Sequence, residues 1–161
     1  GDHTKLKEEV LNQIDNAAYS TVNESSDENI VKTDYFVDGN IPRTYFDIFI
    51  RHANSKLKEF AHEIHCNEVN IHNVWFQQYI KNNEHKWHVH PDSNYACVYY
   101  AELQSNEHAT QLLDPQTDTI ISPEVTEGNV LIFPAFYHHR SPRILTDSRK
   151  TIIAFNISVN I

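Results

Sequence analysis

Apolar residues recur every three or four positions in two stretches of the first third of the chain. Across residues 5–15, Leu6, Val10, Leu11 and Ile14 fall on one face of a helix. The pattern is clearer across residues 43–64, where Phe46, Phe49, Ala53, Leu57, Phe60 and Ile64 keep the same step and Pro42 stands just before the start. An aromatic stripe of this kind suits a helix that packs on a sheet. Residues 19–29 are rich in Ser, Asn, Asp and Glu and read as a loop. After residue 67 the texture changes to short β-rich runs. Strands are expected at 69–80, 86–90, 96–103, 110–113, 119–122, 129–133, 137–141 and 150–159. Turn-prone segments separate them, among them Lys81-Asn82-Asn83-Glu84, Asp114-Pro115-Gln116, Glu127-Gly128 and Thr146-Asp147-Ser148.

Many short strands after a helical start suggest a mainly β fold with helices on one outer face. A jelly roll, also called a double-stranded β-helix or cupin, fits the spacing. The expected organisation is a single domain over 1–161, with a helical part at 1–66 and the double-stranded β-helix core at 67–161, packed on the amphipathic helices. The segments 19–42 and 104–128 are placed to shape the mouth of such a barrel.

The 161 residues carry a formal net charge of -9, with 40% hydrophobic and 22% charged residues. That composition is ordinary for a globular protein, and the acidic balance disfavours nucleic acid as a partner. No apolar run approaches the roughly 18 residues of a membrane span, and no stretch resembles a signal peptide. Cys66 and Cys97 lack metal-type spacing and read as reduced thiols of a cytoplasmic protein.

Eleven histidines are present, and several crowd two short segments. In Trp87-His88-Val89-His90-Pro91-Asp92-Ser93, strand alternation turns His88 and His90 to one face, and Asp92 joins them if the strand persists past Pro91. Imidazole and carboxylate are the ligands of redox-active iron(II) sites. His139 follows about 50 residues later, beyond the apolar run and Pro-marked corner of 128–134, and suits the third position of a facial triad. Its neighbour His138 points to the opposite face. His85 and His138 are expected at the surface or behind the ligands, and Trp87 and Phe136 in the pocket wall. Arg149 and Lys150 open the last apolar run, where a cation has a physical use: pairing with the far carboxylate of a dicarboxylate chelated to the metal.

Together these segments resemble the 2-oxoglutarate and iron(II)-dependent oxygenase superfamily, in its prolyl-hydroxylase-like branch and the small oxygenases of bacteria and phages. The likeness spans residues 72–158 and rests on Trp75 to Tyr79, Trp87 to Ser93, Val98 to Leu103, Gly128 to Pro134, His139 to Pro142 and Arg149 to Asn156. It implies a metal site in one of two registers: His88, His90 and His139, or His90, Asp92 and His139. It also implies a co-substrate cation at Lys150 or Arg149, and co-substrate-binding hydroxyls at Tyr79 and Tyr100. The implied cofactors are Fe(II) and 2-oxoglutarate, with ascorbate a candidate reductant. Dioxygen and an unidentified primary substrate complete the reaction, a hydroxylation that releases succinate and CO2. Two other readings stay open at this point: a three-histidine cupin dioxygenase that does not use 2-oxoglutarate, and a non-catalytic jelly-roll binding module. A homodimer is compatible with the sequence but no single feature demands it.

Overall fold

The computed structural model describes residues 2–22, 28–90 and 92–160. Two helices precede most of the strands: α1 (Asp2–Asp15) and α2 (Thr44–Glu63), both where the three-to-four-residue periodicity places them. The strands are β1 (Ser20–Val22), β2 (Glu28–Thr33), β3 (Glu68–Tyr79), β4 (Glu84–His88), β5 (Tyr95–Glu102), β6 (Gln111–Leu113), β7 (Ile120–Ile121), β8 (Val130–Pro134), β9 (His139–Ser141) and β10 (Lys150–Asn160). No helix is long and apolar enough to cross a membrane, among the described residues.

All pairings are antiparallel, in the order β7-β6-β9-β4-β2-β3-β10-β5-β8, with β1 beside β2. One strand joins the two halves. The start of β2 pairs with β4, and its end, Lys32 and Thr33, pairs with β3. The sheet therefore curls over on itself, and β9-β4 faces β3-β10-β5 across an interior. This is the expected double-stranded β-helix. The expectation of a loop over 19–29 is corrected: Ser20–Val22 and the segment from Glu28 are strands, while 23–27 lie outside the described residues. Polar strands of this kind are held by pairing with their neighbours, and among their described residues Ile30, 1% exposed, is the buried apolar side chain.

Strand alternation divides the larger sheet into two faces. On β10, Ile153, Phe155 and Ile157 join Phe76, Cys97 and Tyr99 beneath the helices. From α2 come Tyr45, Phe49, Ala53 and Leu57, and from α1 Val10 and Ile14. The inner face carries Tyr79, Ala96, Val98, Tyr100 and Ile152, which pack with Phe133, Ile144 and Leu112 from the rest of the barrel. Both cysteines are free thiols, and Cys97 is buried.

The segment between β2 and α2 is pinned by Asp34, a carboxylate with no exposed surface. Its Oδ1 accepts the Phe76 backbone N–H at 2.8 Å, and its Oδ2 accepts the Tyr45 hydroxyl at 2.5 Å and pairs with Arg43 Nε at 2.8 Å. The remaining Arg43 nitrogens donate to carbonyls of Asp34, Val37, Asp38 and Ile41 within that segment. A buried charge needs such partners to be tolerated. The consequence is positional: the segment after Asp34 is tied together, and Tyr35, which lines the cavity described below, meets Trp75 edge to face at 5.2 Å. At Glu127-Gly128, Gly128 has φ +92 and lies so near the His3 ring that an added Cβ would meet it at 2.9 Å, so only Gly serves.

Candidate metal centre and cavity

A cavity of about 440 Å³ opens between the two halves of the barrel, and His85, His88, His90 and His139 all line it. β4 supplies His88 at its last residue, and β9, paired to it, places His139 directly opposite. His90 follows two residues beyond the end of β4. One ring nitrogen each from His88, His90 and His139 lie within 4.8 Å of one another, and these are the residues that form a potential metal cluster among those described.

The hydrogen bonds around the three rings decide which nitrogen is available. His88 Nδ1 lies 2.6 Å from the Lys86 carbonyl, His139 Nδ1 lies 3.2 Å from the Tyr137 carbonyl, and His90 Nδ1 lies 3.1 Å from Asn156 Oδ1. All three partners are acceptors, so each Nδ1 carries the proton and donates. Each Nε2 is left with a lone pair. That is the tautomer a metal-binding imidazole requires, with its ring oriented by the oxygen behind it. Burial acts in the same direction by disfavouring the imidazolium. It is the main reason that His88 falls to about 4 and His139 to about 2, and that His90 also drops below its ordinary value. Neutral rings with free Nε2 atoms fit a divalent metal of the borderline class to which iron(II) belongs.

Asp92 lines the cavity but is exposed and stands outside the trio. β4 ends at His88, before the strand reaches the position that would turn Asp92 inward. The register His88, His90 and His139 is the one that the fold assembles. Of the two places expected for His85, at the surface or behind the ligands, the structure shows the second: it is 8% exposed and its ring stacks on His88 at 3.6 Å and 10°. Residues three apart ordinarily point to opposite faces of a strand. An irregularity in the β4–β9 pairing between His85 and His88 brings both inside. His138 is exposed, as expected. Trp87 and Phe136 do not line the central cavity. Trp87 lies under the Arg140 guanidinium at 4.6 Å, and Phe136 is 67% exposed on an adjoining surface groove.

The two candidate cations separate cleanly. Arg149 precedes β10 and donates through Nε to Glu102 Oε1 at 2.7 Å, with Asp15 3.8 Å away on its outer side. Lys150 shares the inner parity of Ile152, Ala154 and Asn156 and is 1% exposed. Its Nζ donates to the His108 carbonyl at 2.7 Å and to Ser141 Oγ, and sits 4.4 Å over the Tyr79 ring. Burial pulls the amine down to about 7. Tyr79 gives its hydroxyl to Gln77 Oε1 at 2.7 Å. The Tyr100 hydroxyl accepts the Thr110 N–H at 3.2 Å, and burial pushes it up to about 12. Both tyrosines are buried on the inner face. Sequence reasoning missed Ser141 and Asn156 as site residues. A polar Asn inside the apolar run 152–157, at the same parity as Lys150, was the available signal.

No protein-family model and no curated protein matches the sequence. Solved structures do match. A viral collagen prolyl hydroxylase from Paramecium Bursaria Chlorella virus-1, in a 2OG complex, superposes with a TM-score of 0.63 at 15% identity, covering 97% of this chain and 90% of that one. For a Pseudomonas putida prolyl-4-hydroxylase the values are 0.66 and 9%, with 97% and 86% covered. An oxidoreductase of the 2OG-Fe(II) oxygenase family from Burkholderia pseudomallei gives 0.69 and 14%, with 93% and 77% covered. The chain thus has the double-stranded β-helix fold seen in prolyl hydroxylases and other 2OG-Fe(II) oxygenases.

Proposed function

We propose that this protein is an Fe(II)- and 2-oxoglutarate-dependent dioxygenase that hydroxylates a primary substrate. The observation that carries the reading is one cavity wall holding both chemistries. His139 presents a free Nε2 on β9, and two residues along the same strand Ser141 bonds the buried Lys150 ammonium. Two residues of strand advance about 6.6 Å. That separation suits a five-carbon diacid whose keto-acid end reaches the metal and whose far carboxylate reaches the cation.

His88, His90 and His139 would hold the metal, with Lys86, Asn156 and Tyr137 fixing their rings from behind. Lys150 would receive the distal carboxylate, positioned by Ser141 and by the face of Tyr79. Apolar Ala96, Val98, Phe133 and Ile152 around the histidines exclude water from the reacting centre. Iron(II) with 2-oxoglutarate supplies the oxidation: one dioxygen and one 2-oxoglutarate are consumed, succinate and CO2 are released, and one oxygen atom enters a substrate C–H bond. A cytosolic location and ascorbate as reductant belong to the same proposal.

A three-histidine dioxygenase that does not use 2-oxoglutarate is the second reading. It is favoured by the all-imidazole trio, and Lys150 argues against it, since a fully buried amine costs stability without an anionic ligand. The test is anaerobic loading with Fe(II), followed by 2-oxoglutarate consumption and succinate formation in air. His139→Ala is expected to abolish metal binding and succinate formation. Succinate made by that variant at the wild-type rate refutes the site. Iron binding without any 2-oxoglutarate loss favours the second reading, and no metal binding at all favours a binding module.

A further inference from the structure

Hydrogen bonds satisfy nearly every polar group deep in the cavity, and the indole of Trp75 is an exception. Trp75 is 6% exposed and lines the cavity, yet its Nε1–H meets no acceptor among the described residues. An indole N–H is a donor only, and leaving one buried without an acceptor is unfavourable. Its position on β3 shows which end of the cavity it serves. Tyr79 pairs with Lys150, and Trp75, four residues away, pairs with Ala154. Four residues of strand are about 13 Å. An extended five-carbon chain spans only about 5 Å between its end carbons, from C–C bonds of about 1.5 Å. A diacid whose far carboxylate sits on Lys150 is therefore anchored at the other end of this wall, four residues of strand from Trp75.

Tyr35 and His90, which flank Trp75, both line the cavity. The ring lies nearly parallel to His90, at 5.5 Å and 13°, so the indole stands beside a proposed metal ligand, and its Nε1 itself has almost no exposed surface. Small Ala154 opposite leaves room for it. Outward, Tyr35 packs edge-on against Trp75, and Phe36 packs edge-on against Tyr35 at 5.1 Å. These two rings are 57% and 58% exposed, although the Asp34–Arg43 node fixes the segment that carries them. A held aromatic rim leads inward to one unpartnered donor next to the reacting centre.

We infer that the Trp75 Nε1–H anchors a carbonyl or carboxylate oxygen of the primary substrate, whose apolar part rests on the Tyr35 and Phe36 rim. This rests on the oxygenase reading above and adds the substrate's chemistry: an acyl or peptidyl group with an apolar side chain beside the oxidised carbon. The competing source of the same oxygen chemistry is the co-substrate.

With two tryptophans in the chain, a ¹⁵N–¹H spectrum holds two indole signals, which Trp87→Phe assigns. The probes are Zn(II), 2-oxoglutarate, N-acetylleucinamide and N-acetylleucine, added in that order to the intact chain. The expected result is that Zn(II) and 2-oxoglutarate bind without moving the Trp75 indole proton downfield. One of the two leucine derivatives then moves it, and the amide or the acid is identified by which one does. Trp75→Phe keeps an aromatic ring, removes the donor and should weaken that probe roughly three- to ten-fold, the worth of one hydrogen bond. A downfield shift on 2-oxoglutarate alone assigns the donor to the co-substrate and overturns the inference. So does a Trp75 signal unmoved by both leucine probes when Zn(II) and 2-oxoglutarate bind. Failure of Zn(II) or 2-oxoglutarate to bind would instead bring down the proposed function.

Discussion

Replacing Lys150 with Met should make the free protein more stable and its 2-oxoglutarate complex weaker. The ammonium is 1% exposed and, among the described residues, has one carbonyl, one hydroxyl and one aromatic face as partners and no carboxylate bonded to it. Burial lowers the amine from 10.5 to about 7. At about 1.4 kcal/mol per tenfold in proton affinity, keeping the charged form inside the fold costs about 5 kcal/mol. Because the folded value lies below the unfolded one, the unfolded chain binds the extra proton between about pH 7 and pH 10.5. Stability therefore rises with pH across that window, and below pH 7 the cost is carried in full. Met has a similar length and no charge, so the variant should gain about 1–4 kcal/mol at pH 6.5, less whatever the lost bonds to His108 and Ser141 contribute. Urea denaturation of the metal-free protein from pH 6.5 to 9.5 measures this, and the wild-type slope should flatten in the variant. By calorimetry with Zn(II) present, 2-oxoglutarate should bind about a hundred-fold more weakly, the loss of a buried charge pair. A variant less stable than wild type at pH 6.5, with an unchanged pH slope, would refute the desolvation argument.

Two further outcomes are expected. His85, His88 and His139 sit at about 3, 4 and 2, below the ordinary 6.5, so the stability they contribute is present above pH 6.5 and is lost as pH falls toward 4. Thermal melts of the metal-free protein should show this decline, and it should be shallower in His85→Phe; identical profiles would argue against a neutral buried cluster. Asp34→Asn removes the buried partner of Arg43 and should cost about 3 kcal/mol. Hydrogen exchange should quicken across residues 35–42, and unchanged protection there would show that the rim is held by other contacts.

Much of the molecule is legible in its residues alone. Both helices, the late run of strands and the three histidines follow from periodicity and ligand chemistry, because those signals are local: a helix face repeats within four residues and strand faces within two. His88 and His90 share a face by alternation alone. Features that depend on a partner strand were not legible. Lys150 and Arg149 are adjacent in sequence, and only the registry of β10 against β3 turns the first inward and leaves the second to Glu102. Asp92 stands apart from the three histidines because β4 ends at His88. His85 enters the cavity because the β4–β9 pairing slips between it and His88, an irregularity that no run of residues announces. The strands at Ser20–Val22 and from Glu28 are polar and take their form from neighbours distant in sequence. The residues alone thus determined which chemistry was available. Tertiary pairing, by fixing register and parity, decided which of those groups share one cavity.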